Sequence, residues 1–426
     1  MTPHHPVPTP MDQFLHEESR RLGGKADWHG YLLFCSAAPP SIEAVRAHVA
    51  ATAERVPAWN YRVADRRGRL AWVNEPADDP RAHVHELRLD PGPEDVVGRL
   101  HAALQRIPFP PDAPDWGLWL VHGWEPESYA LCYRVSHALQ DGMGGAATIG
   151  ALFGPGGPGG PDEGRLHLTV PKEAEPRFRF AHLAAARPAR EPRTRHAATR
   201  WPLTRRPADE FAALHTAHVE VERLRAIGKL GGATINQVYL ATTAGALRAW
   251  CPPEWSADAE RSFLRAAVPV DTRPEGYEDA SLGNHFSALH IALPWAEPDP
   301  RARLEAMKHT VRPTREQRTA LRSVMRAMPR RVFTTLARSL GERYASDLGV
   351  TNIRLPGDLA FGDDPVIASL GMIPLPYNLP LIVGLSTHGP DASILFVCDR
   401  AEPDPADLPG LWHAALSELE DAFRDG

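Results

Sequence analysis

The sequence is poor in the residues from which disulfide frameworks and zinc sites are built. Among 426 residues there are four cysteines, scattered and without a CxxC pair, at positions 35, 132, 251 and 398. Such spacing predicts neither a zinc site nor a set of disulfides. It fits a reducing cytoplasm, which is the location that we expect.

Several nucleotide-binding and nucleophile motifs are also missing. Neither GxxxxGK[ST] nor GxSxG occurs, which disfavours P-loop and α/β-hydrolase chemistry. Gly154, Gly156 and Gly159 do spell GxGxxG, but two prolines interrupt the motif and no strand leads into it. A dinucleotide site is therefore not expected there.

No strong charge or long membrane segment stands out. The net charge is −6, from 47 basic and 53 acidic residues, which gives no general case for binding nucleic acid or an anionic membrane. The N-terminal "MTPHHPVPTP" has neither the basic nor the apolar region of a signal peptide. An apolar run at 365–390 is broken by Pro374, Pro376 and Pro380, so we expect no transmembrane segment.

The length of the chain and its glycine- and proline-rich stretches predict two halves. The chain is longer than a single hydrophobic core usually supports. A glycine-rich stretch at 154–160 precedes a segment rich in proline, arginine and alanine. We predict an N-terminal half at 1–160, a crossover linker at 161–215 and a C-terminal half at 216–426. Strand and helix patterns alternate in both halves, which indicates the α/β fold class.

The stretch "YRVSHALQDGMGG" at 133–145 holds the main candidate site. The apolar alternation of the strand has to end near His137, and a helical pattern begins directly after it. Asp141 occupies the expected N-cap position of that helix, and Gly142 permits a tight turn. An imidazole with a pKa of ~6.5 can take a proton from an alcohol or amine at neutral pH. On these residues alone, a plain loop histidine and helix cap remain an alternative.

Sequence segments that are similar to those of one known family occur along nearly the whole chain. Segments that resemble one family follow one another in its order: "MDQFLHEE" (11–18), "IPFPPDAPDWGLWLVHGW" (107–124), "SHALQDGMGG" (136–145), "GGATINQVYLATTAGALRAW" (231–250), "PVDTRP" (269–274), "LGNHFS" (282–287) and "TNIRLPGD" (351–358). This pattern resembles the bacterial wax ester synthase/diacylglycerol acyltransferase family. That family lies within the superfamily of condensation domains and chloramphenicol acetyltransferase.

The resemblance implies a fold and a reaction. Two chloramphenicol-acetyltransferase-like α/β halves would form a pseudodimer around a central tunnel, with His137 at its middle. His137 would be the catalytic base that lets an alcohol or amine acceptor attack an acyl thioester directly. The donor would be acyl-CoA or an acyl carrier protein, with no resident cofactor and no metal. We expect the product to belong to specialised metabolism.

The family motif also assigns supporting residues. Its first histidine is Ser136 here, a smaller hydroxyl that could widen the tunnel or reorient the intermediate and puts a standard storage-lipid substrate in doubt. Asp141 would be structural, paired with either Arg62 or Arg273. Asn284 would support the wall of the site, bind the acceptor or only form a turn.

The predicted linker is basic. Between residues 177 and 206 there are nine arginines against one acid, Glu191. Arg190, Arg193 and Arg195 could dock a carrier protein or coenzyme A phosphates, since guanidinium groups match phosphate geometry. The alternative is a solvated crossover.

Two other functions remain open from the sequence. The chain could be a noncatalytic acyl- or carrier-binding scaffold, or a hydrolase or cyclase that uses the same tunnel with water or an internal nucleophile.

Overall fold

The computed structural model describes residues 7–21, 28–66, 69–75, 79–92, 95–109, 115–158, 162, 168–170, 179, 181–185, 212–252, 263–310, 313–343, 346–375, 379–398 and 404–424. Its strands are β1 (Trp28–Cys35), β2 (Tyr61–Arg66), β3 (Arg69–Asn74), β4 (Val84–Arg88), β5 (Trp116–His122), β6 (Tyr129–Ser136), β7 (Ala213–Glu220), β8 (Leu264–Asp271), β9 (Phe286–Leu293), β10 (Leu348–Arg354), β11 (Ala360–Phe361), β12 (Asp364–Met372), β13 (Leu381–His388) and β14 (Asp391–Cys398). Its α-helices are α1 (Pro10–Arg21), α2 (Ile42–Thr52), α3 (Val96–Gln105), α4 (Gly142–Phe153), α5 (Ala181–Ala185), α6 (Val221–Gly231), α7 (Ile235–Trp250), α8 (Pro300–Lys308), α9 (Arg315–Ala327), α10 (Arg330–Arg343) and α11 (Leu408–Arg424).

The first six-stranded sheet carries the candidate motif. Its order is β11-β12-β1-β6-β5-β4, and β1 pairs antiparallel with both β6 and β12. The predicted alternation in β6 holds, because Tyr133 and Val135 enter the core under α2 and α4 while Cys132 enters the core on the other face. Since β6 ends at Ser136 and α4 begins at Gly142, His137 lies in the loop between them.

The second six-stranded sheet has the order β7-β14-β13-β10-β8-β9. Helix α7 packs on it with α6, α8 and α11. The predicted capping box starts α7: the Thr234 hydroxyl accepts the Gln237 N–H, and the Gln237 side chain accepts the Thr234 N–H. Buried Trp250 and Trp412 anchor this helical layer.

A further core joins the two sheets. It contains Trp28 and Leu32 of β1, Met372 of β12, Ile382 of β13 and Leu395 of β14. Strand β12 pairs with β1 although it lies in the stretch that was predicted as the C-terminal half. The boundaries at 160 and 215 stay a prediction, and most of the predicted linker lies outside the described residues.

The apolar run at 365–390 contributes most of β12 and all of β13 to these sheets. Within the described ranges, no helix is long and apolar enough to cross a membrane.

Candidate active site

The loop from β6 to α4 is fixed by hydrogen bonds at both ends. The Leu139 N–H donates to the Ser136 carbonyl at 2.9 Å, and Asp141 Oδ1 caps α4 by accepting the Gly144 N–H at 2.8 Å. The Tyr31 hydroxyl of β1 donates to the Gly142 carbonyl. A Cβ at Gly142 would lie 2.7 Å from Ile353 Cδ1, so a larger residue there would require the Ile353 side chain to shift. The loop therefore presents His137 on a rigid frame.

Asp141 forms a buried ion pair with Arg273. Arg273 Nη2 lies 2.7 Å from Asp141 Oδ1 and Nη1 lies 3.0 Å from Oδ2. The His285 N–H donates to Asp141 Oδ2 at 2.9 Å. Burial by itself would raise the pKa of Asp141, but the charge and hydrogen bonds of Arg273 outweigh it and hold that pKa well below its usual range. The pair ties the loop to the segment after β8.

Arg62, the other arginine that the sequence offered, lies elsewhere. Its Nε is 2.5 Å from Glu75 Oε2 at the two-stranded ribbon of β2 and β3, and its side chain is partly exposed. The structure thus pairs Asp141 with Arg273 and pairs Arg62 with Glu75.

Asn284 contacts His137 at two points. Its Nδ2 donates to the His137 carbonyl at 2.7 Å, and its Oδ1 lies 3.0 Å from His137 Nδ1. Because Nδ2 is the donor to a carbonyl, Oδ1 is the atom that faces the ring, and His137 Nδ1 has to carry the proton. In a neutral ring Nε2 then holds the lone pair. His137 Nε2 makes no hydrogen bond to any described residue.

The ring of His137 is half-buried, and burial lowers its pKa, against the opposing effects of a hydrogen bond to its own backbone, of the Asp141 charge and of the hydrogen bond to Asn284. Beside it lies His29 of β1, with ring centroids 5.2 Å apart. His29 Nε2 bonds to the Gln140 carbonyl at 2.9 Å, and burial together with His137 lowers the pKa of His29 to about 3. Two neutral imidazoles are therefore adjacent at neutral pH.

A cavity of about 340 Å³ opens at His137. Its wall is mostly apolar and comes from both sheets, with β1 and β12 on one side and β8, β10, β13 and β14 on the other. Four of its lining positions are strand glycines: Gly30, Gly349, Gly371 and Gly384. Largely apolar concave sites of this kind are typical of small-molecule binding.

The remaining predicted residues are placed as follows. Ser136 is buried, its hydroxyl accepts the Ala138 N–H at 3.3 Å, and it is not among the described residues that line the cavity. The structure therefore shows no contact through which Ser136 would widen the tunnel. Arg190, Arg193 and Arg195 lie outside the described residues.

Sequence reasoning missed His29 and Asp12. His29 is in register opposite Val135 on the neighbouring strand, so it reaches the motif only through strand pairing. Asp12 Oδ1 accepts both the Asn284 N–H at 2.8 Å and Asn284 Nδ2 at 2.9 Å. In the sequence, Asp12 stood out only as part of the segment at 11–18, which resembled the family but assigned no role to this aspartate.

Among the described residues, no three His, Cys, Asp or Glu side chains are grouped so as to hold a metal ion.

Two family models match this chain. The wax ester synthase/diacylglycerol acyltransferase catalytic domain matches residues 31–154, and the C-terminal domain of the same family matches residues 282–420. Together they span more than half of the chain and include His137, Asp141 and Asn284.

Individual relatives and solved structures agree with these matches. A Mycobacterium tuberculosis protein described as a diacylglycerol O-acyltransferase is 26% identical over 379 residues, which are 78% of this chain and 74% of the relative. The wax ester synthase/diacylglycerol acyltransferase from Marinobacter aquaeolei VT8 has a similar fold, with a TM-score of 0.65, 17% identity, and coverage of 98% of this chain and 100% of that one. The first condensation domain of the CDA synthetase has a TM-score of 0.64 at 16% identity, over 99% of this chain and 96% of that one.

Proposed function

Since the chain belongs to the wax ester synthase/diacylglycerol acyltransferase family and is an acyltransferase, we propose that it joins the acyl group of a thioester to an alcohol or amine. The donor is an acyl-CoA or an acylated carrier protein, and the product is an ester or an amide. The predicted two-half fold is confirmed by the solved relatives, and the cavity between its sheets is where the two reactants would meet.

In the proposed reaction His137 is the general base. Nε2 takes the proton of the acceptor as its oxygen or nitrogen attacks the thioester carbonyl carbon. The carbonyl electrons move to oxygen and return as the carbon–sulfur bond breaks, and His137 passes its proton to the departing thiolate. Asp141 does not enter these steps, because its oxygens are occupied by Arg273, Gly144 and His285.

One observation carries the assignment of the base. The side-chain oxygen Oδ1 of Asn284 accepts the hydrogen bond from His137 Nδ1, so Nε2, which carries the lone pair, is the nitrogen that can contact a substrate. The lowered pKa of His137 supports the same role, because the ring is already unprotonated at neutral pH.

We propose a product of specialised metabolism and not a storage lipid. The support is a cavity of about 340 Å³, at the lower end of the usual range for small-molecule pockets. The acceptor class, alcohol or amine, is left for the substrate screen to decide.

The test is thiol release by the purified protein. A panel of acyl-CoAs and acylated carrier proteins is offered with mixed alcohols and amines, and products are identified by mass. His137→Ala should lose a factor of about 10² to 10⁴ in turnover with little change in melting temperature. His122→Ala is the matched control, because it removes an imidazole paired with Glu86 at the far end of β5.

The outcomes separate the alternatives. Release that needs both an acceptor and His137 supports the proposal. Release without an acceptor points to a hydrolase, and release that survives in His137→Ala removes His137 as the base. No release by any donor, with donor binding retained in the variant, would favour a binding role and contradict the proposed reaction.

A further inference from the structure

Asp12 is a buried carboxylate on the first turn of α1, with a relative exposure of 1%. It is 272 residues from Asn284 in the sequence, yet it accepts two hydrogen bonds from that residue, one from the backbone and one from the side chain. Its other oxygen accepts the Thr9 N–H at 2.7 Å. The N-terminal helix is thereby joined to the residue that holds His137.

The contacts of Asp12 match an ionised carboxylate. All three hydrogen bonds come from N–H donors, which a carboxylate can accept without supplying a proton of its own. Burial raises the pKa of Asp12 above its usual value, and the hydrogen bonds from Asn284 and Thr9 offset only part of that rise. Charge-assisted hydrogen bonds of this type are roughly twice as strong as neutral ones.

This arrangement determines which way the Asn284 amide points. With Nδ2 donating to Asp12 and to the His137 carbonyl, Oδ1 faces His137 Nδ1. A flipped amide would set its oxygen against a carboxylate and a carbonyl and its NH₂ group against the ring. The charge on Asp12 makes that alternative costly.

We propose that Asp12 is a positioning residue that, through Asn284, keeps the proton of His137 on Nδ1 and the lone pair on Nε2. This inference deepens the proposed function and rests on His137 being the base. Asp12 itself does not line the cavity.

The direct test is the tautomer of His137 in protein labelled with ¹⁵N-histidine. The resonance of His137 is the one that His137→Ala removes, and its ¹⁵N shifts report which ring nitrogen carries the proton. In the parent protein we expect the proton on Nδ1. In Asp12→Ala, Asn284 loses the one oxygen that accepts two of its hydrogen bonds, and we expect a mixture of tautomers.

Asp12→Asn tests the charge at nearly constant volume. Whichever way the new amide is turned, its NH₂ group meets an N–H donor of Asn284 or Thr9, so it cannot satisfy all three donors. We expect kcat to fall by about tenfold to a hundredfold with little change in KM, as for residues that orient a catalytic group. Thr9→Val is the control: it removes the hydroxyl that accepts the Asp12 N–H and interacts with the Asp12 carboxylate, but keeps the Asp12 charge and both hydrogen bonds from Asn284.

The pH profile gives a readout that loss of packing would not move. The other charged or titratable groups around this cluster are His29 of β1, Asp141 with Arg273, His285, and Arg326 of α9. Because the Asp12 charge raises the pKa of His137, its removal should shift the acid limb of kcat/KM to lower pH. Thr9→Val should leave that limb in place.

The results distinguish this inference from the proposed function. An active His137→Ala would overturn the proposed base, whatever Asp12 does. The role of Asp12 would be overturned by a different pair of results. His137→Ala would be inactive, while folded Asp12→Asn and Asp12→Ala would keep the proton on Nδ1, the parent kcat and the parent acid limb. The proposed function would then still stand.

Discussion

Breaking the ion pair between Asp141 and Arg273 should cost more free energy of unfolding when the arginine is removed than when the aspartate is removed. Their side chains are 5% and 3% exposed, so each would leave a buried charge. Losing one partner of such a pair costs about 3–5 kcal/mol. After Asp141→Ala, Arg273 keeps its hydrogen bonds to Asp271 and the Ala280 carbonyl. The loss of unfolding free energy in that variant should therefore be about 3 kcal/mol.

The loss of unfolding free energy in Arg273→Ala should lie near the upper end of that range, at about 5 kcal/mol, because the Asp141 carboxylate keeps two N–H donors but no cation. The double variant removes both charges together, so its cost should be smaller than the sum by about 0.5–3 kcal/mol. Urea unfolding at pH 7, followed by tryptophan fluorescence, measures all three values. Strictly additive losses, or single losses below about 1 kcal/mol, would refute the buried-pair argument.

Acid provides an independent check with a defined sign. The folded pKa of Asp141 lies below the ordinary value of 3.8, so its contribution is fully present above that pH. It is lost as the pH falls below 3.8 towards the folded pKa, because the unfolded carboxyl then takes up a proton first. The difference in unfolding free energy between the parent and Asp141→Asn should therefore shrink below about pH 4. A difference that stays constant there would contradict the depressed pKa.

Three further measurements test the site and its frame. Because burial lowers the pKa of His137, log kcat/KM should be flat at pH 7 and fall in an acid limb below 6.5; a limb above that value would be inconsistent with a buried base. Gly384→Ala adds a methyl 3.3 Å from Thr351 Cγ2 and 3.6 Å from Leu395 Cβ, so kcat/KM should fall about tenfold for the longest substrate accepted, with short substrates unaffected. An equal loss for all lengths would indicate general disruption. Thr234→Ala should lower the free energy of unfolding by about 1 kcal/mol without changing turnover, and a serine in its place should restore most of it.

Local features of the site could be predicted because their causes lie within a few residues. The end of β6, the position of His137 after it and the Asp141 cap of α4 follow from apolar alternation and from one hydrogen bond to Gly144. The capping box of α7 spans Thr234 to Gln237 and is equally local. The family resemblance then supplied the two-half architecture, which periodicity alone did not specify.

The chemistry around His137 depended on contacts that have no local pattern. Arg62 and Arg273 were equivalent candidates in the sequence, and only the path of the chain after β8 brings Arg273 to Asp141, 132 residues away. His29 reaches the motif through the register of β1 on β6, a property of strand pairing. Strand β12, from the predicted C-terminal half, completes the first sheet for the same reason.

The sequence by itself determined the position of the candidate base, His137, and the cap of the helix that follows its loop, since hydrogen bonds and periodicity over a few residues decide both. The tertiary structure alone decided which charge holds the loop, which amide faces the ring and which carboxylate orients that amide. These are contacts across 132 to 272 residues, and their geometry is set by strand order, register and the packing of α1.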